Sequence, residues 1–600
     1  MKGKLILLCA FFVQFTSALP ATEKPNILWI TSEDNACHWL GCYGNTQVRT
    51  PTLDSLARRG IRFKNAYSNA PVCAVARSTI LNGVYAPSQG TQHMRSRYPI
   101  EKKFKPYVHY LREAGYFCTN RSKTDYNFEG NDKAIWNKAN HYSQRKKGQP
   151  FFCIFNFTTS HESSLFTTKR SPITYVKPED VIVPPYLPDI PEIRSDLARY
   201  HSVMKQLDDQ VCKVLADLKT DGVAEDTIIF YYADHGGILP RGKRYLKDTG
   251  SKIPMIVHFP KKWQHLSPFK PGSTPEETVA FVDLAPTLMS LIGVDIPEQM
   301  QGRAFLGEKR EQPAQDETEF LFGDRFDEIN GMRRGVTDGR WKYIRRFTPH
   351  LPAAPYSFYQ FGQNGWVGYR KAWEEGKLKP IHARMWQTPQ PIQELFDTQN
   401  DPWEINNLAN DPKYSKELSR LNKALKAHMI AVRDTSIVNE SLFGPFAKGK
   451  PVSSELAKRE DFPALVNLAF NATCGDPGYL DEFIKAMGSE DMITRYWAAH
   501  ACLTLGKDAQ KAEAALSKLT KDPEAGIRVT AAHALHAMGK DQTEMLIAEL
   551  SADGPDKAKL AAINSLRALG LDKNIPEGTL KELANSKDSY VKRFAGRLKE

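Results

Sequence analysis

Four short apolar runs punctuate the first half of the chain: Asn26 to Thr31, Phe151 to Phe157, Thr227 to Tyr232 and Pro254 to Phe259. Each is rich in β-branched or aromatic residues and nearly continuous in apolar character, the pattern of a strand buried on both faces. Amphipathic stretches separate them. Thr50-Pro51 followed by Leu53, Leu56, Ala57 and Gly60 predicts a helix with a proline in its first turn and a glycine exit. Leu197, Tyr200, Met204, Leu207, Val211, Val214, Leu215 and Leu218 recur at helical spacing before Gly222. From Pro25 to about Gly293 this alternation predicts an α/β sheet layered with helices, so residues 22–320 are read as one α/β domain.

The pattern changes near Leu321. Arg340-Trp341-Lys342-Tyr343-Ile344 reads as a short strand beside an aromatic and basic stretch, and a charged helix is predicted from Tyr414; residues 321–435 are read as a smaller α+β subdomain. From 453 to 600 the chain is helical and repetitive. Ala498-Ala499-His500-Ala501-Cys502-Leu503, Ala531-Ala532-His533-Ala534-Leu535 and Ala561-Ala562-Ile563-Asn564-Ser565-Leu566 are followed by Gly506, Gly539 and Gly570. A period of roughly 30 to 33 residues is that of stacked helix pairs, and an all-α HEAT-like repeat tail is expected.

Residues 1–18 carry Lys2 and Lys4, then an apolar run from Leu5 to Val13, then Thr16-Ser17-Ala18. That layout reads as a cleaved signal peptide and places the mature protein in the periplasm or outside the cell. No later run approaches the length of a membrane span. Eight cysteines follow the signal without the paired spacing of a zinc site or a disulfide framework, so plain burial is expected for most of them, with Cys73 the exception. The net charge of +12 favours an anionic partner without saying which.

Ligand sites in α/β sheets form beyond the carboxyl ends of the strands, and polar residues gather there. Glu33 and Asp34 follow the first run, Lys123 and Asp125 follow Tyr116-Phe117-Cys118, His161 follows the second run, and Asp234 and His235 follow the third. Carboxylates and imidazoles from separated segments suit a hard divalent cation, while Arg77, Lys123 and Lys243 could hold an oxyanion beside it.

The combination becomes specific at Pro71-Val72-Cys73-Ala74-Val75-Ala76-Arg77 with Ser78 to Gly83 behind it, which resembles the signature of the sulfatase family. Pro25 to Ile30 with Glu33-Asp34, Gly41-Cys42-Tyr43-Gly44, Ala233-Asp234-His235-Gly236, Gly242-Lys243, Glu394-Leu395-Phe396-Asp397 and Asn400-Asp401-Pro402-Trp403 extend the resemblance over most of the first 430 residues. It implies an alkaline-phosphatase-like sheet sandwiched by helices and conversion of Cys73 to formylglycine by a separate maturation enzyme. It also implies one calcium-type ion among Glu33, Asp34, Asp234, His235 and Cys73. Arg77 would pair with the formylglycine hydroxyl, and Lys123, His161 and Lys243 would hold sulfate oxygens. Val75 departs from the proline or alanine usual there. Asp125 stands where many relatives place a proton-donating histidine, a role for which an aspartate needs a raised pKa.

A sulfated carbohydrate, rather than nucleic acid, is the partner this resemblance implies. His93 and Arg95, in the loop after the signature helix, are expected to touch it. Tyr356, Tyr359, Trp366, Tyr369, Trp373 and Trp386, with Arg370 and Arg384, form either a sugar surface or the subdomain core. Two other readings remain open: a phosphoesterase or phosphotransferase of the same fold, and a non-catalytic polyanion-binding scaffold.

Overall fold

The structure is a computed structural model that describes residues 23–130, 133–168 and 172–598. The signal-peptide reading of residues 1–18 lies outside the described residues.

Seven of the strands, in chain order, are β1 (Asn26–Ser32), β2 (Ile61–Phe63), β3 (Asn65–Tyr67), β4 (Phe117–Arg121), β5 (Phe151–Phe157), β6 (Thr227–Ala233) and β7 (Met255–His258). All but β3 form one sheet in the order β2-β7-β6-β1-β5-β4. β1 lies parallel between β5 and β6, and β4 runs parallel to β5. The antiparallel pairs β6-β7 and β7-β2 close the other edge. Every residue of β1 and of β6 is buried, which is why these segments lack polar alternation.

Alternate residues of β1 feed opposite layers. Leu28 and Ile30 pack with Leu197, Tyr200, Met204 and Leu207 of the long helix Pro191–Thr220. Ile27 and Trp29 pack with Ile80 and Leu81 of the helix Cys73–Asn82 and with Leu284 and Leu288 of Leu284–Leu291. The four parallel strands therefore end on one rim, with helices fixed above and below it.

β8 (Thr278–Ala280) pairs with β3 outside the main sheet. β9 (Glu319–Gly323), β10 (Arg333–Thr337), β11 (Trp341–Arg346) and β12 (Gln393–Asp397) form an antiparallel sheet, covered by the helix Ser415–Ala431 through Leu421, Leu425 and Met429. On β11, Lys342 is fully buried and forms an ion pair with Asp248, which ties this sheet to the loop carrying Lys243.

The C-terminal region is helical, as the periodicity predicts. Met492–Leu505, Ala525–Ala537 and Asp556–Ala568 pack side by side, and Gly506, Gly539 and Gly570 after them all take positive φ. The boundary at 453 is not a break in packing, however. One core runs from Val336, Tyr343 and Leu395 of the subdomain sheet through Leu465 to Trp497 and Ile527. The inner helices are too rich in alanine to bury a core alone and complete it against the sheet. The outer helices form a second core that takes in Phe358 of the subdomain.

Among the described residues the cysteines are free: Cys212 and Cys474 are exposed, Cys42 is half-buried and the others are buried. No helix among them is long and apolar enough to cross a membrane.

Two outcomes follow from the shared core. A chain ending at Lys450 strips Phe470 and Trp497 from Phe347 and the Phe470 carbonyl from Arg345, and is expected to be insoluble or to melt well below the full chain; soluble, active protein of unchanged melting temperature would contradict the shared core. At the same seam His350 rests against His500 and His533, with ring centroids 5.2 and 5.4 Å away. Burial lowers the pKa of His500 and of His533 from 6.5 to about 4. The unfolded chain then binds more protons than the folded one below pH 6.5, so these groups withdraw stability as pH falls from 6.5 toward 4, by on the order of 3 kcal/mol each. Thermal melts across that window should show a decline that His500→Gln with His533→Gln reduces.

Candidate active site

At the rim, four strand ends deliver the expected residues and one more, Glu162. Glu33 and Asp34 leave β1, Asp234 and His235 leave β6, His161 and Glu162 follow β5, and Lys123 and Asp125 follow β4. Asp34 takes φ 47°, a left-handed conformation that costs a non-glycine residue of order 1 kcal/mol and turns its carboxylate inward. The Glu162 N–H holds that carboxylate at 2.6 Å, and the Asp34 N–H donates to Asp234 at 3.2 Å.

Cys73 opens the helix Cys73–Asn82 and is fully buried. Its Sγ lies 3.4 Å from His235 Nε2 and 3.6 Å from Lys243 Nζ. One turn on, Arg77 reaches Asn156 Oδ1 at 2.7 Å, Asp234 at 3.2 Å and Glu33 at 3.3 Å. Lys123 forms an ion pair with Glu33 on the same oxygen, Oε1. His235 Nε2 lies 3.0 Å from Asp34 Oδ1. Lys243 bridges Asp34 at 3.0 Å and Glu162 at 2.8 Å.

These charges set one another's proton affinities. Burial pushes the Cys73 thiol up, but Lys123 and Lys243 outweigh it and hold the pKa well below the usual thiol range. Burial also raises Asp34, and Lys243, His235 and His161 bring it well below an ordinary carboxylate. Burial would lower His235, yet Asp234 and Asp34 lift it to about 10. Glu33 stays above its ordinary value, because burial together with Asp234 and Cys73 outweighs Lys123 and Arg77.

The donor set fits a divalent cation. Ligand atoms of Asp34, Cys73 and His235 lie within 4.8 Å of one another, and Asp234 adjoins them. Glu33 Oε2 is buried without a hydrogen-bond partner, its neighbour His161 Nε2 lying 3.9 Å away. Carboxylate oxygens outnumber the single imidazole, which favours a hard ion.

His161 stands at the open side, 16% exposed, its Nε2 3.9 Å from Glu33 Oε2. The Ser163 N–H donates to its Nδ1 at 3.2 Å, which puts the proton of the neutral ring on Nε2, facing the cluster.

Two expected residues do other work. Asp125 is gripped by Arg95 through two hydrogen bonds of 3.2 and 2.9 Å; burial raises its pKa, but Arg95 and Lys123 overcome this and hold it below the ordinary carboxylate value. That grip favours the ionised carboxylate, against the raised pKa that the expected proton donor needs. His93 does not face the cluster. Its ring packs on Phe443 at 5.2 Å and lies 3.6 Å from Glu440, in the seam with the C-terminal region, because the Asn127 amide clamps the Thr91 and His93 carbonyls. Arg95 does reach the rim, paired with Asp125.

Sequence reasoning passed over Glu162, Asn156, Arg244 and Asp327. Arg244 holds Glu162 at 2.9 Å and Asp327 at 2.6 Å, all three buried. Position alone could have flagged Glu162 and Arg244, which adjoin His161 and Lys243; Asp327 lies too far along the chain.

The loop from Gly236 to Ser251 folds tightly on itself to present Lys243 and Arg244. A Cβ on Gly242 would stand 2.1 Å from the Gly237 oxygen, and one on Gly250 2.1 Å from that of Tyr245.

Fold and site together define an alkaline-phosphatase-like α/β hydrolase. Solved structures share the fold: a 2-O GAG sulfatase at 20% identity covers 69% of this chain and 94% of its own, TM-score 0.50. A structure in complex with its substrate D-glucosamine-2-N,6-O-disulfate, at 16% identity, covers 69% and 99%, TM-score 0.50. The sulfatase family pattern matches residues 25–118 and 116–294, and that of the N-sulphoglucosamine sulphohydrolase C-terminal region matches 241–351. An ulvan-active sulfatase of Formosa agariphila is 34% identical over 70% of this chain and 78% of its own. Human N-sulphoglucosamine sulphohydrolase is 24% identical over 67% and 89%. The chain belongs to the sulfatase family and is a sulfuric ester hydrolase.

Gly242→Ala should displace Lys243, lowering stability by about 2 kcal/mol and turnover more than tenfold. Gly578→Ala, whose Cβ meets no atom within 4 Å, is the neutral comparison. Thermal melts and aryl sulfate assays read both.

Proposed function

We propose that this sulfatase removes sulfate from esters or N-sulfates of sulfated carbohydrates after export to the periplasm or cell exterior. In this reading Cys73 is converted to formylglycine by a separate maturation enzyme, and Glu33, Asp34, Asp234 and His235 hold one calcium-type ion. The observation that carries the reading is the seating of Cys73 at a helix N-terminus, 3.4 Å from His235 and 3.6 Å from Lys243. The activities by which those relatives are known, on ulvan and on N-sulphoglucosamine, support a sulfated sugar.

Formylglycine hydrate supplies two hydroxyls, one to attack sulfur and one whose later deprotonation expels sulfate as the aldehyde reforms, while the ion supplies positive charge. The chain's own residues prepare that chemistry. Lys243 Nζ lies 3.6 Å from the Cys73 sulfur, and Lys123 is near enough to lower the thiol's pKa, so both can take up negative charge on sulfate oxygens. Arg77, fixed by Asn156, keeps Glu33 and Asp234 turned toward the ion position. His161 presents an Nε2 proton to the bridging oxygen of the leaving sugar, a role that the grip of Arg95 on Asp125 opposes there. Arg95 and Asp125, as a rigid pair beside Lys123, shape the entrance.

Peptide mass spectrometry across Pro71 to Arg77 should show loss of the Cys73 sulfur and gain of an aldehyde or its hydrate, with activity scaling with the modified fraction. Elemental analysis should find one divalent ion per chain, and chelation should abolish turnover of aryl sulfate. Cys73→Ala should be inactive, and so should Cys73→Ser in a host that does not oxidise serine. Full activity from wholly unmodified protein would overturn the mechanism; two tightly held zinc ions would favour a phosphoesterase.

A further inference from the structure

The aromatic stretch that follows the subdomain's third strand divides in two. Trp366 and Tyr369 are buried in the core. Trp373, one turn beyond, is 36% exposed and stacks on Trp386, with ring centroids 5.5 Å apart and planes 19° from parallel. These two rings line a groove of about 620 Å³ whose opposite wall comes from the last helices. Trp386 is half-buried against Tyr369 and backs the exposed Trp373, and the indole face they present to the groove is one a sugar ring uses.

The groove is also cationic. Among the described residues, Arg370, Arg567 and Arg597 line it together with the carboxylate of Asp572, which lies 3.9 Å from Arg567. The Arg370 guanidinium sits over the Tyr356 ring at 5.2 Å, and that of Arg567 sits over the same ring at 5.2 Å from the other side of the seam. Stacking on an aromatic face holds each guanidinium in place for binding oxyanions, with the Arg370 Nε already paired to Glu374 at 2.7 Å.

The groove communicates with the catalytic mouth through two elements. Segment 356–359 lines the groove with Tyr356 and Phe358, and at its other end Tyr359 lies 6.4 Å from His161. Along the helix Ser589–Arg597, Arg593 stands over Tyr359 at 5.6 Å, and Arg597, four residues on and so on the same helix face about 6 Å farther along, lines the groove. A cationic edge thus runs from the mouth to the stacked tryptophans. This wall is built by residues beyond 560, and the family patterns end at 351.

We propose that this groove is a second, non-catalytic binding site for a sulfated oligosaccharide, holding the substrate chain away from the bond that is cut. Trp373 and Trp386 take a sugar face, and Arg370, Arg567 and Arg597 take its sulfate or carboxylate groups. The inference rests on the sulfated-carbohydrate reading of the catalytic site.

The full-length protein tests it by affinity gel electrophoresis in heparin, ulvan and ι-carrageenan, each alongside its desulfated form, with 4-nitrophenyl sulfate turnover measured in parallel. Wild type should be retarded by at least one sulfated polymer and not by its desulfated form. Trp373→Ala with Arg597→Glu should weaken that retardation about tenfold, with aryl sulfate kcat/KM unchanged. Both residues are exposed, and Arg597→Glu alone serves if the double variant does not fold. Unchanged retardation of the variant, equal retardation by desulfated polymer, or no retardation of wild type by any of the three overturns the site. Retardation that depends on Trp373 and Arg597 in a wild type lacking aryl sulfatase activity would instead sink the catalytic reading and leave the groove standing.

Discussion

The centre of this molecule is organised by the need to keep opposite charges paired once they are out of water. Glu33, Asp34, Asp234, Glu162 and Asp327 are all buried, and each is met by a cation: Arg77, Lys123, Lys243 or Arg244. Removing one partner of such a pair strands the other in a low-dielectric interior at a cost of about 3–5 kcal/mol. The sheet, the tight loop behind β6 and the helix of Cys73 are accordingly held in one arrangement. The same pairing fixes the geometry that lets two lysines flank a single nucleophilic position.

The pairing does not stop at the catalytic rim. Lys243 meets Glu162, Glu162 meets Arg244, Arg244 meets Asp327, and Asp327 lies 3.5 Å from Arg593 on the last described helix. Together with the core shared between the subdomain sheet and the inner helices, this makes the C-terminal region a wall of the enzyme rather than an appendage. Its alanine-rich helices pack closely and leave their arginines for the seam.

Much of the fold and most of the site were legible in the sequence. β1, β5 and β6 announce themselves because strands buried on both faces must be apolar throughout, and the residues just past them are where a parallel sheet concentrates ligands. The signature around Cys73 then ties those residues to one chemistry. Three things were hidden. The partner of Asp125 is Arg95, thirty positions away, and only the folded loop shows that this grip favours the ionised carboxylate. His93 precedes Arg95 by two residues yet points into the seam, since a loop has no period from which direction can be read. Helical repeats show their own stacking but not what their outer faces cover, so the core shared with β10 and β11 could not be inferred.

Cys73 is wholly enclosed, and its thiol is walled by residues as distant as Lys243, 170 positions along the chain. On the proposed reading, a catalyst that modifies Cys73 would have to reach it before these walls are in place. At ribosomal speed the stretch from Cys73 to Lys243 takes roughly ten to thirty seconds to emerge. Maturation of the nucleophile, if it proceeds as proposed, would then be a race between an outside catalyst and the chain's own closure. The late synthesis of the residues that seal the site sets the length of that race.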